Sequence, residues 1–299
     1  MTSVVVPVYN GAHVLPTCVP ATLALRGVDE WAWVDDGSTD ETSRLLGVLL
    51  AAEPRARIVR HDTNRGRAAA RNTGSAATGG DVLVFLDADV APEPDMAERF
   101  VSVLGMGATA TVARFASTEF ADDPYGVYLR HARRGVSVDA RPGDVLPWRL
   151  FVTAACAVHR DALDYVGGFD AGVAYGEDLA LAAHLAAVAP EGLRASGATV
   201  MLFDTSTLDR ALSNLAQFGR ALPDLESRSP DVLRVAGLES VLQSGVRHSV
   251  ASSRALGQIV RWIAPRLPTP MQPVAVRYLL GHTLVRAYDD ARLHPRTGR

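Results

Sequence analysis

Val82-Leu83-Val84-Phe85-Leu86-Asp87-Ala88-Asp89 decides the fold: five apolar residues, then two carboxylates one residue apart. A short, unbroken apolar run bounded by polar residues reads as a strand buried on both faces, as in a parallel sheet. Working outward, residues 3–8, 30–34 and 57–60 read as three more such strands. Helical spacing fills the stretches at about 12–25, 40–52, 66–77 and 93–104. Thr39-Asp40-Glu41-Thr42 supplies a start signal for the second of these, and Pro92 and Pro94 one for the fourth. Strands alternating with helices of this length predict βαβ units, hence an α/β, mostly parallel sheet with helices on both faces. Two further strands are expected at 108–113 and 149–158, and an Ala/Leu-rich helix at 179–188 follows Gly176-Glu177-Asp178. Beyond 204 the pattern is helical, at 207–220, 231–243, 252–264 and 273–292, with breaks expected at Pro223, Pro230 and 265–273. The expected division is an α/β domain over residues 1–220 and a helical C-terminal extension over 221–299.

The 299 residues are 48% hydrophobic and 21% charged, ample for a buried core and unlike a disordered chain. Cys18 and Cys156 make neither a disulfide framework nor a CxxC pair and read as reduced thiols. No signal peptide is read at the start, and no run nears the roughly 18 apolar residues of a membrane span. The expected location is therefore cytoplasmic, at most peripheral at the inner face of the membrane. The net charge of −3 is unevenly spread. Residues 241–299 hold nine arginines against Asp289 and Asp290, a net +7, leaving −10 for the first 240.

Four polar clusters fall where parallel strands should end, which is where open α/β sheets bind ligands. They are Pro7-Val8-Tyr9-Asn10, Val34-Asp35-Asp36-Gly37-Ser38, Asn64-Arg65-Gly66 leading into Ala70-Arg71-Asn72, and Asp87-Ala88-Asp89. Any one alone is an ordinary polar turn. As a set they carry chemistry. Two carboxylates at i and i+2 on an extended backbone share a side and repel unless a cation lies between them. Hard oxygens suit Mg²⁺ or Mn²⁺, which also take phosphate oxygens, so Asp87 and Asp89 suit a metal–diphosphate. Tyr9 offers a ring to stack on, and Asp36 an acceptor for a nucleobase imide and ribose.

PVYN at 7–10, VDDGSTDET at 34–42, NRGRAAARNTG at 64–74, FLDADV at 85–90 and GGFDAGVAYGEDLAL at 167–181 together resemble the inverting family 2 glycosyltransferases of GT-A fold. The likeness covers residues 3 to about 220. It implies that Pro7, Tyr9 and Asp36 line a base and ribose pocket, with Gly66 and Arg71 in the same donor-binding set. Arg71 would contact base or diphosphate, Asp87 the ribose, and Asp89 the metal. Asp178 would be the general base, with Glu177 holding its geometry. The residues support that role independently. An inverting transfer needs one carboxylate to take the acceptor proton, and a helix N-terminus favours its ionised form. Where many members of the family carry a His after the base-bearing helix, this chain has Asp204, which either replaces it as an oxygen ligand or leaves that ligand out. His61, His159 and His184 read as satisfied structural histidines.

The resemblance makes a nucleotide sugar the donor, a UDP-sugar by preference. The acceptor is open among a glycan, a lipid-linked molecule, a natural product and a peptide, with Arg130, His131, Arg133, Arg134 and Trp148 expected along its approach. Two other readings compete. A sugar-nucleotide pyrophosphorylase needs a basic, Gly-rich phosphate loop after the first strand, and Val8-Tyr9-Asn10-Gly11-Ala12 is not one. An inactive nucleotide-binding scaffold would not need Asp36, Asp87, Asp89 and Asp178 together. For the basic C-terminal helices, apolar positions 276, 279, 280, 284 and 287 indicate a packed face. Arg261, Trp262 and Arg266 instead suit peripheral contact with anionic lipid or with a phosphate-bearing acceptor. No motif accompanies the charge that would indicate nucleic acid.

Overall fold

β1 (Thr2–Val8) is buried along its whole length. Val4, Val6 and Val8 enter one core, while Val5 faces the opposite side, against Gly74. That two-sided burial is why the strand shows no alternation in sequence. Residues 1–116, 120–131, 136, 139–203, 206–242 and 245–294 are described in the computed structural model. They form two compact units, Met1–Ser117 with Arg134–Phe203, and Thr118–Arg133 with Asp204–Arg299.

The first unit continues through α1 (Leu15–Leu23), β2 (Glu30–Asp35), α2 (Thr42–Leu49), β3 (Ala56–Arg60), α3 (Arg67–Ala76), β4 (Val82–Leu86), β5 (Val90–Pro92), α4 (Met96–Gly105) and β6 (Ala110–Ala116). After α5 (Pro124–His131), which belongs to the second unit, come β7 (Ala155–His159), α6 (Arg160–Tyr165), α7 (Glu177–Val188) and β8 (Leu193–Leu202). The sheet order is β3-β2-β1-β4-β7-β6-β8-β5. The β3-β2-β1-β4 portion is parallel throughout, β6 and β8 are parallel, and β7 runs against both its neighbours. This is the expected α/β architecture, mixed at one side. The order in which strands are added reverses between β1 and β4, the switch point at which such sheets open a crevice. α1, α2 and α4 cover one face through Leu15, Leu46 and Phe100. α3 covers the other.

Several expectations shift. The strand expected at 149–158 is β7 alone, preceded by a single tight helical turn at Trp148–Leu150. β5, and β8 with Gly197 inside it, were not singled out, because neither shows an unbroken apolar run. Asp87-Ala88-Asp89 lies in the turn between β4 and β5, so its carboxylates are not set on an extended strand.

The second unit holds α5, α8 (Leu208–Arg228), α9 (Val232–Ala236), α10 (Glu239–Leu242), α11 (Val246–Ser252), α12 (Arg254–Ile263) and α13 (Gln272–Leu293). Its core joins Tyr125 of α5, Leu208 and Leu212 of α8, and Val276 and Leu279 of α13. The apolar stripe of the last helix is therefore buried, as the packed reading required. The break expected at Pro223 is absent: α8 runs through it, and with it through residue 220, where the domain boundary was expected. A helix-interior proline costs about 3 kcal/mol, but the fully buried Leu222 and Leu225 flanking it recover about 1.5–3 kcal/mol each. The helix expected at 231–243 is split at Gly237, whose φ is +69°. Among the described residues no helix is long and apolar enough to cross a membrane.

Gly74 gives the sharpest test of this packing. A Cβ there would lie 2.3 Å from Val5 Cγ1 and 3.2 Å from Val34 Cγ2. Gly74→Ala is expected to lower stability by about 1–3 kcal/mol in urea unfolding at unchanged m-value, and Val5→Ala in the same chain to restore part of the loss.

Candidate active site

α3 carries the organising residue. Arg71, four residues into the helix, is buried and makes two charged contacts in different directions. Its Nη2 donates to Asp87 Oδ1 at 2.7 Å, and its Nη1 to Glu177 Oε1 at 2.8 Å. Arg67, one turn earlier on the same helix face, brings Nε to 3.0 Å from Glu177 Oε1. The end of β4, the start of α7 and the body of α3 are thereby tied at one point. Burial opposes the charge of Arg71, but Asp87 and Glu177 outweigh it and hold its pKa above the ordinary value. Phe169 closes the pocket from the side, its ring 5.7 Å from the guanidinium, while its backbone is clamped by Asn72 through bonds of 2.7 and 3.0 Å.

Asp178 is next to this network without being locked in it. It is half-buried, and its carboxylate accepts the N–H of Leu179 at 2.8 Å. Burial, reinforced by the charge of Glu177, raises its pKa to about 6, against the pull of Arg71, the Leu179 N–H and Arg67. The expected downward shift from the helix N-terminus is overturned: loss of water outweighs the dipole. Glu177 carries two arginines, whereas Asp178 has no such close cation among the described residues.

The loops after β1 and β2 use their polar groups on themselves. Asp36 is buried and accepts from the N–H groups of Arg65 and Gly66 at 2.9 and 2.8 Å, while His61 Nδ1 lies 2.7 Å away. His61 Nε2 in turn lies 2.9 Å from Thr73 Oγ1. Asp36 thus fastens the loop that starts α3, and Gly66 supplies the φ of +89° that this entry needs. Asp35 serves its own loop. Its carboxylate accepts from Ser38 N–H at 2.9 Å and from Ser43 Oγ, and although burial opposes it, these bonds and Arg60 hold its pKa below the usual range. The N–H groups of Asn10 and Gly11 donate to Ser38 Oγ and Thr42 Oγ1, both at 2.9 Å. They are therefore not turned to a phosphate. Pro7 is buried in the strand, while Tyr9 is exposed at its end.

Asp87 is 27% exposed beyond its bond to Arg71. Asp89 is half-buried, and its carbonyl accepts the N–H of Phe203 at 3.1 Å. Burial and the charge of Asp89 push the Cys18 thiol up to about 11, so this cysteine is inert. Asp204 lies outside the described residues, as do Arg133 and Arg134. Among the described residues no three His, Cys, Asp or Glu side chains gather into a ready metal cage. Trp148, expected along an acceptor path, is buried, with its indole N–H donating to the carbonyls of Ala189 and Pro190 at 3.0 and 3.1 Å, so it is structural. Arg130 belongs to the second unit, over the ring of Phe120. One residue was missed in the sequence: Arg67, which could have been found from its four-residue spacing to Arg71. His61, bonded to Asp36 and Thr73, is the satisfied structural histidine expected.

The sheet with its carboxylates at the strand ends defines a GT-A class α/β protein. Residues 3–167 match the family described as Glycosyl transferase family 2, and the chain belongs to that family. It is 32% identical over 239 residues to a pre-mycofactocin glycosyltransferase of Mycobacterium tuberculosis, an alignment covering 77% of this chain and 48% of that protein. A shorter match, 35% over 105 residues, is to glycosyltransferase AglE of Haloferax volcanii and covers 34% of each chain. The chain thus spans half or less of the length of these curated relatives. Among solved structures, the mannosyltransferase PcManGT of Pyrobaculum calidifontis, in complex with GDP-Man and Mn²⁺, superposes with a TM-score of 0.59 at 19% identity, covering 96% of this chain and 87% of its own. TarS 1-349 of S. aureus in complex with UDP gives 0.54 at 13% identity, covering 100% and 93%. At these identities the structural likeness concerns the fold.

The raised pKa of Asp178 has a sign that can be checked. The group ionises later in the folded chain than in the unfolded one, so stability falls as pH rises from about 4 to about 6 and stays lowered above. Asp178→Asn removes that penalty. The variant is expected to gain more stability over the wild type at neutral pH than at about pH 4, read from urea midpoints. An equal gain at both would mean that Asp178 titrates normally.

Proposed function

We propose that this protein is an inverting glycosyltransferase that moves a sugar from a nucleotide diphosphate sugar, by preference a UDP-sugar, to an acceptor hydroxyl or another nucleophile. The observation that carries the reading is the pairing at the start of α7: Glu177 held by Arg67 and Arg71, and beside it Asp178, half-buried with a pKa raised to about 6. One carboxylate is fixed and its neighbour is left basic enough to accept a proton.

Asp178 takes the proton of the acceptor as the acceptor oxygen forms its bond to C1 of the sugar. The bond from C1 to the diphosphate oxygen breaks on the opposite face, with inversion. Arg71 holds Asp87 and Glu177 in place, so the two ends of the reacting system are set by one side chain. The exposed ring of Tyr9 offers a stacking surface to the base. Asp36, buried in its loop, shapes the pocket wall through Gly66.

The residues fit a hard divalent ion. Asp89 and Asp87 sit in a partly open turn, which leaves room for the waters and substrate phosphates that Mg²⁺ or Mn²⁺ keeps. Asp89 would hold the ion, with Asp87 adjacent and Asp204 as a further candidate. When bound, such an ion neutralises charge on the departing diphosphate. The Mn²⁺ in the PcManGT complex supports this choice. The N–H groups spent inside the β1 loop argue against a pyrophosphorylase, whose triphosphate would need them.

Asp178→Asn is expected to lower kcat by roughly 10²–10⁴-fold with donor affinity by calorimetry nearly unchanged. The wild-type rate should fall below about pH 6, where the carboxylate is protonated. A product of retained anomeric configuration by NMR, or release of pyrophosphate in place of nucleoside diphosphate, overturns the reading. Asp89→Ala is expected to cost on the order of 10³-fold in metal-dependent turnover, and near-normal activity in it would remove the metal assignment.

A further inference from the structure

α12 has two apolar sides, and only one is covered. Gly257, Val260 and the following Ala264 face the helical core, with Gly257 so close to His282 that a Cβ would lie 2.2 Å from its Nε2. The stripe turned away from that contact carries Leu256, Ile259 and Trp262, which are 36%, 56% and 64% exposed. A soluble helix normally places polar residues there. Met271, just before α13, and Val274, in its first turn, are exposed as well.

We propose that this face of α12 is a docking surface for an anionic lipid bilayer, with Ile259 and Trp262 entering the interface and arginines at the headgroups. The charge pattern selects that partner. Between Glu239 and Asp289 the chain has six arginines and no acidic residue. Arg254, Arg266 and Arg277 are exposed, and the guanidinium of Arg266 stacks on the Trp262 ring at 4.5 Å. An amphipathic helix with an aromatic anchor and flanking arginines matches the boundary between acyl chains and phosphate. Each arginine near an anionic surface is worth about a fivefold gain in partition. A second copy is the poorer occupant, because a twofold contact would set the same arginines against each other. A stable protein interface also needs a complementary surface of roughly 800 Å² per partner, whereas a bilayer demands no shape complementarity.

The inference stands apart from the proposed reaction, since vesicle binding is measured without donor or acceptor. The full chain is floated with phosphatidylcholine vesicles, with and without about 30% phosphatidylglycerol, at about 0.1 and 0.5 M salt. Trp31, Trp33 and Trp148 are buried, so a blue shift of tryptophan emission on binding reports Trp262, and Trp262→Phe should abolish it. Expected is binding to anionic vesicles at low salt that falls at least tenfold in Ile259→Ser/Trp262→Ser and in Arg254→Gln/Arg266→Gln. Because all four side chains are exposed, urea midpoints should not move. Failure of the wild type to bind anionic over neutral vesicles overturns the proposal, as does binding unchanged in both double variants. Self-association lost in the apolar double variant, without vesicle binding, would assign the stripe to a second copy.

Discussion

The site depends on one buried cation. Arg71 has almost no access to water, and a charge in that position is tolerated only when paired and hydrogen-bonded. Its partners come from segments far apart in the chain, Asp87 after β4 and Glu177 at the start of α7. Removing the guanidinium would leave Glu177 buried with only the partly exposed Arg67, a loss of about 3–5 kcal/mol by comparison with other broken buried pairs. Such an ion pair adds little net stability over an apolar core. What it fixes is position, because the guanidinium is planar and its two nitrogens point apart.

The same network explains the basicity of Asp178. Arg67 and Arg71 face three carboxylates: Asp87, Glu177 and Asp178. Both arginines spend their short contacts on the first two, so Asp178 receives their attraction only at longer range while bearing the full repulsion of Glu177. A helix N-terminus stabilises a negative charge by about 0.3–1 kcal/mol. The rise from the ordinary value to about 6 corresponds to about 3 kcal/mol in the other direction. Burial and like charge therefore win. The carboxylate proposed as the base is thus one whose ionisation costs the fold, a common relation between stability and activity at catalytic centres.

What could be read in the sequence divides along physical lines. β1, β2 and β4 were legible because burial on both faces makes an unbroken apolar run. β8 was not singled out, because Arg194, Ser196 and Gly197 interrupt its pattern. The fold of α8 through Pro223 was misread because a local rule predicts a break, whereas Leu222 and Leu225 gain burial that only the tertiary structure provides. Within the site, the carboxylates stood out by residue type and strand-end placement. Their pairings did not: nothing in the sequence shows that Arg71 bridges two acids, or that Asp36 holds His61 and the 65–66 backbone. Pairings between residues about 30 or 100 positions apart leave no local trace.

Charge differs along the chain: residues 1–240 carry −10 and residues 241–299 carry +7. At the proposed site Asp87, Asp89, Glu177 and Asp178 outnumber Arg67 and Arg71. A diphosphate brought to such a site adds negative charge to negative charge. Coulomb repulsion between unit charges 4 Å apart is about 4 kcal/mol at the effective dielectric of a protein surface, more than a stacked base recovers. The metal proposed at Asp87 and Asp89 would relieve that repulsion by lying between the donor and the carboxylates. The C-terminal helices have the opposite balance, with arginines and no acid over a long stretch, and need no such intermediary to meet an anionic surface. The bridging ion proposed at Asp87 and Asp89 and the bilayer contact proposed for α12 thus answer opposite local charges on one chain.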